Sequence, residues 1–388
     1  MNLRRVLILA DESADWMVAG LRQLDRIALS IHEVAVANGE TSPVLVCIFW
    51  RPQLDQSQRW IPASPRLTHL AFSGGLDGQP YDLVLSTRLF LYRKAIGQLI
   101  ESQRAPTAPP PSWESAQPVP PVRTGAWEYI TDGNEIDRIE KEFLRNSDKS
   151  QDGFVSRYLN RPISRSITRL LLRFPATPNG WTWLISPIPV IAAFVLTRGS
   201  YWSFFWGLIL FHIFSVLDGC DGEIARAKFM ESDRGRRLDD FFDVLSNVFL
   251  VLGLGVGLSR QARFYWIEGI LTATLIIVNE WYLASRTPAV LVESDRDSLG
   301  GTLYPRHREL VARSGLLAFG ERFASLLIQL TKRDVAVLFF VLLALIGIPA
   351  LVLHLLLAVT AITLALAVKG GSRAPSLDDK NGGKAASN

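Results

Sequence analysis

The stretch Asp218-Gly219-Cys220-Asp221-Gly222-Glu223-Ile224-Ala225-Arg226 closes one long apolar run, and Gly235-Arg236-Arg237-Leu238-Asp239-Asp240-Phe241-Phe242-Asp243 opens the next. Asp218 and Asp221 are three apart and Asp239 and Asp243 four apart, so on helices each pair shares one face. Carboxylates at the edge of apolar helices are costly, and by default they point to function. Four of them converging from two helix ends stay ionised only if cations neutralise them. No histidine or cysteine cluster is nearby, so an oxygen-only set favours Mg2+, Mn2+ or Ca2+ over zinc. Two such ions could grip a diphosphate and stabilise the leaving group of a displacement. Gly222, Ala225 and Gly235 let backbone or ligand approach closely, and the planar fork of Arg226 matches two phosphate oxygens. The plainer alternative is a set of loop-edge salt bridges with Arg226, Lys228, Arg234 and Arg236. Asp240 lies off the Asp239/Asp243 face, and Cys220 reads as a small packing residue.

Outward from these acids the second half of the chain is apolar. Segments at about 182–198, 200–217, 239–258, 264–284, 335–350 and 351–368 predict six transmembrane helices, the first and last pairs as tight hairpins. The basic residues cluster on one side. Arg157, Arg161, Arg165, Arg169 and Arg173 precede the first segment, Arg226 to Arg237 follow the second, and Arg286 to Arg333 follow the fourth. The positive-inside bias therefore places both termini and the acids in the cytoplasm, on a multi-pass protein of the cytoplasmic (inner) membrane. The five arginines from 157 to 173 recur every four residues and form a slanted basic stripe. With Leu159, Ile163, Ile167, Leu170 and Leu171 between them, and Trp181 and Trp183 following, the spacing predicts an interfacial amphipathic helix on anionic headgroups; a solvated helix face is the alternative.

The first half reads as a small cytosolic α/β domain. Val6 to Ala10, Val44 to Trp50 and Leu83 to Leu85 read as strands, Asp25 to Asn38 as a helix with Gly39 as its stop. Arg4 and Arg5 precede an apolar run too short for a secretory signal. The predicted organisation is a 1–104 α/β domain, a 105–148 proline-rich linker and helix, a 149–180 juxtamembrane region, a 181–369 six-helix domain, and a disordered 370–388 tail. Over 388 residues, 48% are apolar and 20% charged, and the long apolar runs all fall after residue 180, which excludes a fully soluble enzyme and a disordered chain. A net charge of +4 gives no reason to expect nucleic acid, and two cysteines cannot frame a disulfide scaffold. His32, His69, His212, His307 and His354 are scattered, with no metal or triad spacing; Glu280, in the fourth apolar segment, reads as a cavity residue or a partner of Arg286.

Asp218, Asp221, Gly222, Ala225, Arg226, Gly235, Asp239 and Asp243 match D-x2-D-G-x2-A-R-x8-G-x3-D-x3-D at every fixed position. In this the chain resembles the CDP-alcohol phosphotransferases over about residues 149 to 368, and Thr177-Pro178-Asn179 with Thr182 looks like that family's entry into its first membrane helix. The resemblance implies six transmembrane helices around a polar cavity open to the cytoplasm. It implies that Asp218, Asp221 and Asp239 bind two divalent ions, Mg2+ or Mn2+, with Asp243 completing the site and acting as general base. Gly222, Ala225, Arg226 and Gly235 would line the CDP site. An acceptor hydroxyl would attack the β-phosphorus and CMP would leave. The implied partners are a CDP-linked alcohol donor, a small alcohol or polyol phosphate acceptor, the lipid bilayer and a second copy of the chain as a homodimer. If the acceptor carries a phosphate, Arg236, Arg237, Arg286, Lys332 and Arg333 are candidate ligands.

Lys149 to Arg157, followed by Asn160-Arg161, is similar to a narrower branch, in which an inositol-1-phosphate cytidylyltransferase is fused to a CDP-inositol:inositol-phosphate transferase. The first domain departs from that branch. After its first strand stand Asp11-Glu12-Ser13-Ala14-Asp15-Trp16, without glycine and with three acids, and a metal-binding Asp expected later is replaced by Ser86-Thr87-Arg88. The expectation is a degenerate, catalytically dead nucleotidyltransferase-like domain. A non-enzymatic membrane scaffold whose soluble domain recruits a partner is the competing reading, and a transporter a third.

Overall fold

The computed structural model describes residues 3–39, 42–76, 78–92, 99, 107–113, 115, 127–146, 154–286 and 333–371. The chain divides into two compact units. One comprises Met1–Asp148, Ile167–Ala176 and Glu223–Met230, the other Lys149–Ser166, Thr177–Gly222 and Glu231–Asn388.

The first unit is built on β1 (Arg5–Ala10), a near-continuous apolar run of the kind that a parallel sheet buries on both faces. After it come β2 (Met17–Val18), β3 (Leu21–Arg22), α1 (Gln23–Ala37), β4 (Val44–Trp50), β5 (Leu70–Ser73), β6 (Leu83–Ser86), β7 (Leu89–Leu91), β8 (Trp127–Tyr129) and α2 (Ile136–Asn146). The main sheet runs β5-β4-β1-β6, all parallel, with Val6 beside Val46 on one side and Leu83 on the other. α1 makes the crossover from β1 to β4 and packs Leu24, Ile27 and Ile31 into the core with Val6, Ile8, Val46 and Leu85. The expected strand–helix–strand order is therefore present. β5 and the antiparallel β7–β8 pair were not among the expected strands, because three- and four-residue strands carry too little periodicity to read. Within 105–148, β8 and α2 belong to this unit, while 105, 106, 114, 116–126 and 147–148 lie outside the described residues.

The helical part contains α3 (Arg161–Leu171), α4 (Pro178–Ile185), α5 (Pro187–Leu196), α6 (Tyr201–Ala227), α7 (Asp233–Leu258), α8 (Phe264–Arg286), α9 (Arg333–Ile346) and α10 (Ala350–Gly371). Among the described residues, three stretches are long and apolar enough to cross a membrane: Pro178–Leu196, Tyr201–Ala227 and Asp233–Leu258. Asp334–Ile346 and Ala350–Ala365 are apolar but shorter. Proline at 187 separates α4 from α5, since it has no N–H to donate back along the helix. The tight turns expected near 199 and 350 are made by Gly199 and Gly347, both at positive φ. Leu196, Phe204, Leu208, Leu250, Leu254 and Val352 form the core of this unit. His354 Nδ1 lies 2.6 Å from Glu268 Oε1, which gives that histidine a structural partner inside the apolar helices.

The segment from 154 to 171 is helical, as its spacing predicts, and its arginines divide between its faces. Arg157 and Arg173 are exposed, Arg165 and Arg169 half-buried and Arg161 buried, while Phe154, Tyr158, Leu159, Ile163, Leu170 and Phe174 are exposed. Arg169 pairs with Asp137 and Glu140 of α2. The outward face thus carries apolar side chains together with Arg157 and Arg173. Of the expected tail at 370–388, residues 370 and 371 end α10, and 372–388 lie outside the described residues, as do 287–332 of the 285–333 loop, Lys332 among them.

Candidate active site

α6 and α7 are joined by a short connection, and Ser232 caps the start of α7 by accepting from the Gly235 N–H at 3.1 Å. This hairpin brings Asp218 and Asp221 of α6 beside Asp239 of α7: one carboxylate oxygen from each lies within 4.8 Å of the others. Asp221 is 8% exposed; Asp218 and Asp239 are half-buried. Asp243, one turn further along α7, is half-buried and is not one of the three.

The start of α4 holds the acid-bearing helix in place. Thr177 caps α4 through the Gly180 N–H at 3.2 Å, with Pro178 in the first turn. One turn on, Thr182 Oγ1 donates to Asp221 Oδ2 at 2.8 Å, and the Trp181 indole N–H donates to the Leu217 carbonyl at 2.8 Å. The Gly222 N–H donates to Asp221 Oδ1 at 2.5 Å, so both oxygens of this carboxylate are oriented. A Cβ at Gly235 would stand 3.0 Å from Asn179 Oδ1, so this glycine allows the start of α7 to approach the start of α4 closely. Arg161 Nη1 lies 3.5 Å from where a Cβ would sit on Gly219, and Cys220 Sγ lies 3.5 Å from the Ser164 carbonyl. The packing role expected for Cys220, which is buried, is consistent with that contact.

Three clustered carboxylates with no nitrogen or sulfur donor fit a hard divalent cation. Like charges this close need neutralisation, by a cation, by arginine side chains or by protonation. Ala225 is buried and Arg226 half-buried, both on the last two turns of α6. Among the candidate acceptor ligands, Arg236 is turned to Asp233, 3.6 Å away, and Arg237 is exposed. Arg286 ends α8 and Arg333 opens α9, with side chains outside the described residues. Glu280 of α8 interacts electrostatically with Asp240 and Asp243. The contacts of Thr182, Trp181 and Arg161 with α6 escaped sequence reasoning; the Thr-Pro-Asn entry was the one signal near them.

The carboxyl end of β1 is a second place of interest, because parallel α/β sheets bind ligands there. Arg88 Nε donates to Asp11 Oδ2 at 2.6 Å and Arg88 Nη2 to Glu12 Oε1 at 2.5 Å. Ser13 Oγ donates to Asp11 Oδ1 at 2.5 Å and bonds Thr87 Oγ1 at 2.7 Å. Burial pushes the Asp11 carboxyl up, but the hydrogen bonds from Ser13 and Arg88 outweigh it and hold the group below the usual carboxylate range. The acids and the arginine noted in the sequence therefore satisfy one another.

Comparison with known proteins agrees with the acid motif. Residues 176–368 match the CDP-alcohol phosphatidyltransferase family. A protein of Thermococcus kodakarensis named bifunctional IPC transferase and DIPP synthase is 36% identical over 118 residues, 30% of this chain and 26% of its own. Proteins of the same name from Aquifex aeolicus and Rubrobacter xylanophilus are 30% identical over 154 residues and 34% over 131, covering 39% and 34% of this chain and 35% and 29% of theirs. The chain thus matches about a quarter to a third of the length of these curated relatives. Residues 176–368, whose acids α6 and α7 bring together, thus carry a domain of the CDP-alcohol phosphatidyltransferase family, a family of transferases.

Proposed function

We propose that the protein is an integral-membrane CDP-alcohol phosphotransferase that moves a phosphoalcohol group, phosphatidyl or phosphopolyol, from a CDP-linked donor to an acceptor hydroxyl. The observation that carries this reading is the meeting of Asp218, Asp221 and Asp239 within 4.8 Å, inside the complete acid motif. Asp218, Asp221, Asp239 and Asp243 would hold two Mg2+ or Mn2+ ions. When bound, such ions neutralise the diphosphate charge and stabilise the departing phosphate oxygen. The chain's own residues do the rest. Gly222, Ala225, Arg226 and Gly235 bind and orient the CDP part. Asp243 takes the proton of the acceptor hydroxyl, whose oxygen bonds to the β-phosphorus as the bond to the α-phosphate oxygen breaks and CMP departs. Arg237, Arg286, Lys332 and Arg333 remain candidates for an acceptor phosphate; Arg236 must first leave Asp233.

The apolar segments and the one-sided arginines support six spans, both termini in the cytoplasm and a place in the inner membrane. The exposed apolar side chains of 154–174 support an interfacial helix whose apolar side enters the lipid. The Asp11–Arg88 pair supports a first domain that has lost nucleotide chemistry. The named relatives and the branch motif favour a CDP-inositol donor with an inositol phosphate acceptor; CDP-diacylglycerol with a small polar alcohol is the second choice.

The test is CMP release by the purified protein with Mg2+, offering each donor with a panel of polyols and polyol phosphates. Release with one donor identifies it. No CMP and no CDP binding would favour the scaffold. Asp243→Asn is expected to lower turnover at least about a hundredfold with the protein still folded, and Asp218→Ala to abolish it together with Mn2+ binding. Normal turnover in either variant would sink the corresponding role.

A further inference from the structure

The helix that carries Asp218 and Asp221 ends at Ala227. A helix end leaves its last carbonyls without N–H partners. Here the Ile224 and Ala225 carbonyls accept from the Lys228 and Met230 amides, while the Ala227 carbonyl and the two just past the helix end are met by two arginines of the unit that holds the sheet, to which Glu223–Met230 also belongs. Arg26 Nη2 donates to the Ala227 carbonyl at 3.0 Å, and to the Val18 and Ala19 carbonyls at 2.8 and 3.1 Å. Arg66 Nη1 donates to the Lys228 and Phe229 carbonyls, each at 2.9 Å.

The investment in this contact is large. Arg26 is 1% exposed and lies over the rings of Phe90, Phe143 and Phe229 at 5.4, 5.2 and 5.6 Å. Burial pushes its guanidinium down to about 10, so it stays cationic at neutral pH. A buried cation is expensive unless its donors are used. Its charge also suits the negative end of a helix dipole. Lys228 runs on past Gly20, where a Cβ would stand 2.7 Å from Lys228 Cε, and donates to the Phe174 and Ala176 carbonyls at 2.9 Å each. Phe229 turns the chain with φ +54. The Thr168 hydroxyl donates to Glu223 Oε2 at 2.7 Å. Glu223, Ala227, Lys228 and Phe229 are therefore each bonded by side chains or backbone of the same unit.

We propose that the sheet domain, closed to nucleotide by its own Asp11–Arg88 pair, serves as a clamp on the end of α6, with Arg26 and Arg66 as positioning residues. By fixing Ala227 to Phe229 they hold the last turn of the continuous helix on which Asp218 and Asp221 stand, less than three turns back. The proposal rests on the metal-dependent reading above.

The test uses the full-length chain in detergent micelles, with Arg66→Gln and Arg66→Lys compared with wild type by hydrogen exchange and by Mn2+ binding followed by EPR. The amides of Lys228 and Met230, bonded to the Ile224 and Ala225 carbonyls at 2.9 and 2.8 Å, are the reporters. In Arg66→Gln they are expected to exchange about tenfold faster while β1 and β4 keep wild-type protection. Half-saturating Mn2+ is expected to rise about fivefold, with Arg66→Lys recovering part of it. Wild-type Mn2+ affinity in Arg66→Gln overturns the proposal, as does loss of protection throughout β1 and β4, which would make Arg66 a fold residue. A wild-type chain that binds no Mn2+ and releases no CMP would instead sink the metal reading; unchanged amides at 228 and 230 would sink the clamp independently.

Discussion

Asp221 is constrained at both oxygens, because Thr182 and the Gly222 N–H each take one of them. A ligand oriented this way does not need to be ordered when a cation arrives. Thr182→Val keeps the shape of the side chain and removes the donor. The expected result is about a tenfold rise in half-saturating Mg2+ with little change in turnover at saturating Mg2+, measured by titrating Mg2+ against CMP release. An unchanged titration would show that the hydroxyl only packs. At this scale the acids themselves were legible, since three- and four-residue spacing on a helix is arithmetic. The Thr182–Asp221 bond was not, because the two residues are 39 apart and meet only when α4 packs on α6. The same holds for Arg161 beside Gly219.

At the scale of elements, length explains where the acids stand. α6 has 27 residues and α7 has 26. At ~1.5 Å per residue each is ~40 Å long, against a hydrocarbon core of ~30 Å. For helices that cross the core, the excess of ~10 Å, or ~7 residues, takes the stretches around Asp221 to Ala227 and Asp233 to Asp239 toward headgroup depth, where carboxylates are tolerated, and leaves Asp218 and Asp243 at the edge. These helices were readable as apolar runs, and the tight pairs as hairpins. Which face of 154–174 points outward was not readable, because the amphipathic spacing is the same whether the arginines face lipid headgroups or Asp137 and Glu140. Nor was the packing of α7, which rests on a missing side chain. A Cβ on Gly257 would stand 2.9 Å from the Phe204 ring and overlap the Leu196 carbonyl. Gly257→Val is expected to destabilise the helical unit by about 1–3 kcal/mol, read as a lower melting temperature in detergent, while Val256→Leu at the neighbouring position changes it little.

At the scale of the whole molecule, the sheet domain carries its own pH dependence. The Asp11 carboxyl is held below its ordinary value of 3.8, so its contribution to stability is fully present above that pH and is lost as pH falls through the lower folded value. Arg88→Met removes a partner that opposes burial, which lifts the folded value and moves the loss toward neutral pH. Melting followed from pH 6 to pH 3 on both proteins checks this; coincident curves would show that Arg88 does not set the Asp11 charge. The α/β order of this domain was legible from β1, α1 and β4. Its reach was not: Arg26 meets Ala227 across 201 residues, and no local pattern reports such a contact.

The three clustered acids and the threonine that orients one of them all precede residue 240, and α7 ends at Leu258. During synthesis the whole cluster is therefore made before α8 to α10. The pairing of α6 with α7 closes a short loop, so it carries little chain entropy and is expected to form early. The corner of acids is thus expected to assemble first, with α8 to α10 packing around it.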